Sequence, residues 1–267
     1  MSDPSTTPDP QELVITNDGH VRLLRLNRPE RRNALSRSLM SAIVNAIIDA
    51  EDDEEVRVIV LTGTGESTFC AGGDLKEMRG NDEVGTRFRS PMNRPDRNVF
   101  EVVLEAKKPT IAALNGSAVA GGFELALACD IRIGHAQAQF GLPETKIGMG
   151  ANFGSVVLPR RIAPGFALEM LLTGDYIDAA QAQRFGLLNH VVEHDQVLPH
   201  SLALAHKIAG NAPISVRRVK AIALRGLEMP VSAALRQDPG ANPYLSEDRK
   251  EGIRARLEKR PPVWRNR

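Results

Sequence analysis

Residues 116–130 read GSAVAGGFELALACD, a run of small and apolar residues with one carboxylate, Glu124, placed directly behind the pair Gly121-Gly122. The next charge is Asp130. A stretch this apolar must be buried, and a buried glutamate is costly unless a partner holds it or a reaction uses it. The residues before it, PTIAALNG (109–116), are expected as a strand, and GGFELALACD as a helix. The chain is thereby committed to a strand that turns at glycines into a buried helix. Glu124 then falls in the first turn, beside N–H groups that have no partner inside the helix.

The same alternation recurs on both sides of this segment. VRLLRL (21–26) and VRVIVLTG (56–63) are expected as strands, and ALSRSLMSAIVNAIIDAEDDEE between them carries apolar residues at helical spacing. Asp74 caps a short helix over LKEM, residues 80–98 read as a loop with Gly85, Pro91 and Pro95, and VFEVVLEAKK returns to helix. IRIG and AQFG are short strands after Asp130. Beyond residue 151 the pattern is mostly helical, broken at LLNHVV (187–192), with helices expected at 195–209, 213–225 and 245–258. Strand–strand–helix units followed by helices imply a mixed α/β body with a terminal helical element. The expected division is a disordered polar tail over 1–12, a body over 13–194 and a helical region over 195–267.

Bulk properties exclude several classes of function. The 267 residues are 42% hydrophobic and 25% charged, with net charge +1 and a pI near 7.9. No global field therefore points to nucleic acid or an anionic membrane, and 4% aromatic residues give little for base stacking. No apolar run approaches the roughly 18 residues that a membrane span needs. The two cysteines, Cys70 and Cys129, lack CxxC partners and sit among small or apolar residues, so packed, reduced thiols in a cytoplasmic protein are expected. The opening MSDPSTTPDPQE lacks the apolar core of a signal peptide and the arginines of a mitochondrial presequence.

Three motif readings fail. GTGESTFCAGG (63–73) follows a strand, but Thr68 stands where GxGxxG needs its third glycine. No Walker lysine or GxSxG elbow occurs. HVVEH (190–194) matches the HxxEH of a metalloprotease helix, yet Val191-Val192 and the flanking residues read as a strand. Along a strand the two histidines lie too far apart for one zinc ion, and no metal site is expected.

One constellation survives. Gly72-Gly73 follows a strand and turn and precedes the helix capped by Asp74; Gly121-Gly122 follows a strand and opens a helix. Each presents backbone N–H groups near a helix N-terminus, which suits an anion. Two such donors on one oxygen form an oxyanion hole. Glu124 lies close to that point, and a second carboxylate, Glu144, follows in FGLPE. Two carboxyls around an anion hole can divide acid and base roles on one water molecule. Singly, the glycines read equally well as tight turns, Glu124 as a helix N-terminal charge and Glu144 as a solvated cap. Taken jointly, those readings leave a glutamate among Phe123, Leu125 and Leu127 without purpose.

In order along the chain, NRPERRNAL (27–35), FCAGGDLKEM (69–78), KPTIAALNGSAVAGGFELALACDIRI (108–133), AQFGLPETKIG (138–148), TGDYIDAAQAQRFGLLNHVV (173–192) and SEDRKEGIRARLEKRPP (246–262) resemble segments of the crotonase, or enoyl-CoA hydratase/isomerase, superfamily. The resemblance runs from about residue 13 almost to the C-terminus. It implies a spiral of ββα units, a C-terminal helical region that makes a trimer or a dimer of trimers, and an acyl-CoA thioester as substrate. It implies an oxyanion hole from the N–H groups of Gly73 and Gly121, with Glu144 as proton donor and Glu124 orienting water. Keeping both glutamates favours hydration of a 2-enoyl-CoA or the reverse dehydration, with no cofactor beyond the coenzyme A of the substrate. Arg32, Ala34 and the stretch Ala71, Gly72, Asp74, Leu75 and Lys76 match the region that contacts coenzyme A. Residues 245–267 hold eight Lys/Arg against four Asp/Glu, a local +4 that suits a neighbour's CoA phosphates or simply a solvated face.

The chain departs from the family in two places. KIGMGANFGS stands where hydratases carry Pro-Gly-x-Gly-Gly, which puts Met149, Asn152 and Phe153 at the acyl end. Arg256 stands where an aromatic residue near CoA is usual. Isomerisation, decarboxylation or thioester hydrolysis are the competing reactions, and an RNA-binding relative is a remote one that the near-neutral charge disfavours.

Overall fold

A computed structural model describes residues 11–83 and 97–267. Strands β1 (Leu13–Asp18) and β2 (Val21–Leu26) form a hairpin and lead into helix α1 (Arg37–Asp52). Next come β3 (Val58–Gly63), β4 (Thr68–Cys70) and α2 (Leu75–Glu83), and after them α3 (Val99–Leu104). Then follow β5 (Thr110–Ala113), β6 (Ser117–Val119) and α4 (Gly121–Ala128). A third such unit has β7 (Ile131–His135), β8 (Gln139–Gly141) and a 3₁₀ turn over Pro143–Ile147. The chain continues through α5 (Asn152–Arg161), α6 (Pro164–Thr173), β9 (Ile177–Asp178), α7 (Ala179–Arg184) and β10 (His190–Val192). Helices α8 (Val197–Ala209), α9 (Pro213–Gly226), α10 (Val231–Ala234) and α11 (Glu247–Glu258) complete it.

Each unit sends its first strand to one sheet and its second to another. The larger sheet has the order β1-β2-β3-β5-β7-β10, parallel except for the β1–β2 hairpin. The smaller has the order β4-β6-β8-β9, with only β9 antiparallel. In the units that begin at β3, β5 and β7 the first strand is the longer and the second the shorter. The unbroken apolar run of β3 has a direct cause: the sheet is covered on both faces. Ile59 and Leu61 enter the core shared with α1, α3 and α4. Val58 and Val60 face the other way and pack with Val197, Ala205 and Ala209 of α8. At roughly 1.5–3 kcal/mol for each fully buried aliphatic side chain, these contacts outweigh any single helix cap, worth about 1 kcal/mol.

The caps nevertheless set where helices begin. Ser36 Oγ accepts the Leu39 amide at the start of α1, whose buried residues Leu39, Ile43, Ala46, Ile47 and Ala50 form one stripe. Asn98 and Glu101 make a reciprocal capping box on α3.

Several expectations need correction. The helix expected over LKEM runs on to Glu83, so the loop expected at 80–98 begins later, and its residues 84–96 lie outside those described. Residues 1–10 of the expected tail also lie outside them, whereas Glu12 belongs to the folded body: its carboxylate accepts from Ser36 Oγ at 2.8 Å and Ser38 Oγ at 2.6 Å and pairs with Arg28 Nε at 2.8 Å. Strand β1 has no sequence expectation behind it, because LVITND alternates too weakly. HVVEH is strand up to Val192, and its histidines serve different neighbours. His194 Nε2 donates to the carbonyls of Glu66 and Asn115, while the His190 ring lies 5.0 Å from that of His200. Among the described residues no group of His, Cys, Asp and Glu could hold a metal ion, and no helix is long and apolar enough to cross a membrane.

The basic C-terminal segment folds back on α11. Glu251 pairs with Arg254 and Arg260, Asp248 accepts the amides of Arg265 and Asn266, and Trp264 Nε1 donates to Gly210 O at 2.7 Å. Arg254 and Arg260 are therefore already engaged by Glu251 within the chain itself.

Candidate active site

Two glycine turns meet at the smaller sheet. Gly72 leaves β4 with φ +93°, and its carbonyl accepts the Leu35 amide at 2.7 Å, while Asp74 N donates to Leu35 O at 3.1 Å. This bridge holds Gly73 beside Leu35. Gly121 is the first residue of α4, and a Cβ placed on it would lie 3.6 Å from Gly72 Cα. The two turns therefore touch. The N–H groups of Gly73 and Gly121 enter none of the backbone hydrogen bonds formed among the described residues. A Cβ on Gly73 would meet Met78 Cε, and one on Gly121 would lie 3.5 Å from Leu35 and Phe100, so apolar side chains flank both half-buried glycines. Low polarity there strengthens any hydrogen bond the amides donate.

Glu124, in the first turn of α4, is buried, and its Oε1 accepts the Gly154 amide at 2.8 Å. The amide of Phe153 also bonds to this carboxyl. Both amides belong to the first turn of α5, whose own N-cap, Ala151, has no side chain to offer. Glu124 thus caps a neighbouring helix, a role its position in the sequence gives no hint of. Burial raises its pKa to about 7, with the Gly154 amide pulling down and the charge of Glu144 pushing up.

Glu144 rides on the 3₁₀ turn that Pro143 opens, buried at 7% exposure. Its Oε2 is enclosed and has no hydrogen-bond partner among the described residues. Burial raises this carboxyl too. The two groups interact, so they titrate as a pair. Hydrogen bonds oppose burial at both: the Gly154 and Phe153 amides pull Glu124 down, and the Glu144 backbone amide pulls Glu144 down, yet burial prevails and both carboxyls lie above the ordinary range.

The remaining candidates divide by location. Arg32 and Ala71 are joined by the Ala71 N to Arg32 O hydrogen bond at 3.1 Å, which brings the first and second glycine-side segments together. Arg32 is exposed, as are Leu75 and Lys76, the last two opening α2 just after Gly73. Ala34 is buried, and its carbonyl accepts from Arg28 Nη1 at 2.6 Å. Asp74 has its carboxylate fully engaged: Oδ1 accepts the amides of Lys76 and Glu77, and Oδ2 pairs with Arg28 Nη2 at 3.0 Å. Its pKa lies below the usual carboxylate range despite the opposing effect of burial, because of these partners. Arg28 is the organising residue that sequence reasoning missed, for it ties Glu12, Ala34 and Asp74 to one guanidinium. Only its neighbours in NRPERRNAL drew attention, since a charged residue in a turn reads as solvated.

The α/β body of ββα units thus brings two glycine turns together and buries two interacting carboxyls, one of them three residues beyond Gly121. Comparison with known proteins narrows this. The sequence profile of the enoyl-CoA hydratase/isomerase family matches residues 16–267. Crotonyl-CoA hydratase of Syntrophomonas wolfei is 34% identical over 94% of this chain and 96% of its own, and (E)-benzylidenesuccinyl-CoA hydratase of Thauera aromatica is 39% identical over 96% and 99%. The crystal structure of an enoyl-CoA hydratase from Bacillus anthracis superposes with a TM-score of 0.90 at 36% identity, covering 96% of this chain and all of that one. The chain belongs to the enoyl-CoA hydratase/isomerase family.

Proposed function

We infer that the protein is an enoyl-CoA hydratase, adding water across the double bond of a 2-enoyl-CoA thioester to give the 3-hydroxyacyl-CoA, or running the reverse dehydration. The observation that carries this reading is the pair of buried, interacting carboxyls, one of them in the first turn of the helix that Gly121 opens against Gly72. The thioester oxygen would accept from Gly73 and Gly121 and gain charge as the enolate forms. Glu124, held as an acceptor by α5, would orient water and take its proton as oxygen bonds to Cβ. Glu144, its carboxyl raised by burial and its Oε2 free of a hydrogen-bond partner among the described residues, would deliver a proton to Cα. Water addition changes no oxidation state overall, so no redox cofactor is needed, and coenzyme A arrives with the substrate. The exposed Arg32 and Lys76 suit its phosphates.

A substrate panel tests this. Crotonyl-CoA is expected to lose its conjugated-enone absorbance and yield 3-hydroxybutyryl-CoA, while free crotonate neither reacts nor gives binding heat. Conversion of a 3-enoyl-CoA to the 2-enoyl isomer without hydration would identify an isomerase instead. We further propose that the protein works in the cytoplasm as a trimer or a dimer of trimers. Leu227, Leu235, Leu245 and Leu257, on or beside α9 to α11, are each more than three-quarters exposed in the single chain, an apolar surface that closed symmetry would cover. Light scattering is expected to give a trimeric or hexameric mass at micromolar concentration; a monomer overturns that assembly.

A further inference from the structure

Ala120, between β6 and α4, stands at φ +52°, ψ −132°, a backbone region that is nearly closed to residues with a Cβ. It immediately precedes Gly121. On the other turn, Gly72, at φ +93°, immediately precedes Gly73. So each amide facing the substrate side is aimed by a residue with positive φ. The two aiming residues also touch. A Cβ built on Gly72 would come within 2.7 Å of the Ala120 methyl and 3.1 Å of Gly121 N, so the methyl fills the space on that side of Gly72.

Nothing lets Ala120 relax. Its amide donates to Gly141 O at 2.9 Å at the end of β8, and its carbonyl accepts from Phe123 N at 2.8 Å and Glu124 N at 3.0 Å. The strand holds one side of the residue and the first turn of the helix holds the other. Rotating either dihedral would break one of these bonds or turn the Gly121 N–H.

We propose that Ala120 is a positioning residue for the oxyanion hole: its methyl, filling the space beside Gly72, fixes the separation and angle of the Gly73 and Gly121 amides. A glycine at 120 could adopt the same φ and ψ without strain, and the strand–turn–helix path would survive. What it could not do is fill the space over Gly72. Alanine, strained as it is there, supplies a contact that glycine lacks. This rests on the hydratase reading above and concerns how its hole is held rather than which groups form it.

The experiment is Ala120→Gly in the full chain, with wild type as control. Glycine suits a positive φ, so the variant is expected to fold with about the wild-type thermal midpoint. Its kcat for crotonyl-CoA is expected to fall on the order of tenfold, less than the 10²–10³ for outright loss of one donor, with KM unchanged. Affinity for acetoacetyl-CoA, which places enolate charge on the thioester oxygen, is expected to weaken by a similar factor, while that for saturated butyryl-CoA stays the same. Wild-type kcat and acetoacetyl-CoA affinity in the variant would overturn the proposal. So would an equal loss for both ligands, which marks a general distortion of the site. If wild type itself hydrates no enoyl-CoA, the hydratase reading fails, independently of this one.

Discussion

Glu144→Gln and Glu124→Gln are each expected to lower kcat for crotonyl-CoA by about 10²–10⁴-fold, the range for a positioned general acid or base, with thioester affinity nearly intact. Glutamine keeps the size of each side chain, and at position 124 its carbonyl oxygen can still accept the Gly154 amide. Folding is therefore preserved while proton transfer is lost. If both groups act on one water, as proposed above, the double variant is expected to lose far less than the product of the two single effects. Wild-type activity in Glu124→Gln would reduce this residue to a cap for α5.

Stability gives an independent reading of the same pair. The folded pKa of Glu124, about 7, lies above the ordinary glutamate value of about 4.3. The folded state thus binds the proton more tightly than the unfolded one. That contribution is fully present below about pH 4.3 and is lost as pH rises through about 7. Urea unfolding near pH 5 and near pH 8 is expected to show wild type falling relative to Glu124→Gln. A constant difference across that window would mean the carboxyl is not desolvated as its burial indicates.

Gly122→Ala is expected to destabilise the fold by about 3 kcal/mol or more, the upper end for overpacking a closed interior. A Cβ at Gly122 would fall on the Cys70 carbonyl and lie 2.8 Å from Cys70 Cβ. Both partners are immobile: Cys70 is fully buried on β4, and Gly122 is fixed in α4. Alanine's better helix propensity returns only about 1 kcal/mol, so the clash dominates. Chemical denaturation of the purified variant measures the loss, and near-wild-type stability would show that α4 can slide away from β4. The second glycine of the pair is thus a packing requirement, distinct from the first, whose added Cβ would meet nothing closer than 3.5 Å.

Much of this was legible in the residues. The β-branched run of β3, the spacing of Leu39, Ile43 and Ile47, and the glycine-to-helix turn at 121 each follow from local pattern, because period and burial leave one reading for them. Glu124 was conspicuous for the same reason, a charge where apolar neighbours demand burial. Glu144 stood out less, since a glutamate after proline in a loop costs nothing until something encloses it. Its closure depends on elements from elsewhere in the chain.

The sequence by itself determined the ββα order, the two glycine turns and the burial of Glu124, since these rest on periodicity and on chemistry confined to a few neighbouring residues. Only the tertiary structure decided which helix Glu124 caps, that Arg28 rather than Arg32 organises the turn at Asp74, and that the Ala120 methyl fills the space beside Gly72. Those contacts join residues 30, 46 and 48 positions apart. No local pattern encodes such distances, because the energy that selects them comes from packing the two sheets and their helices together.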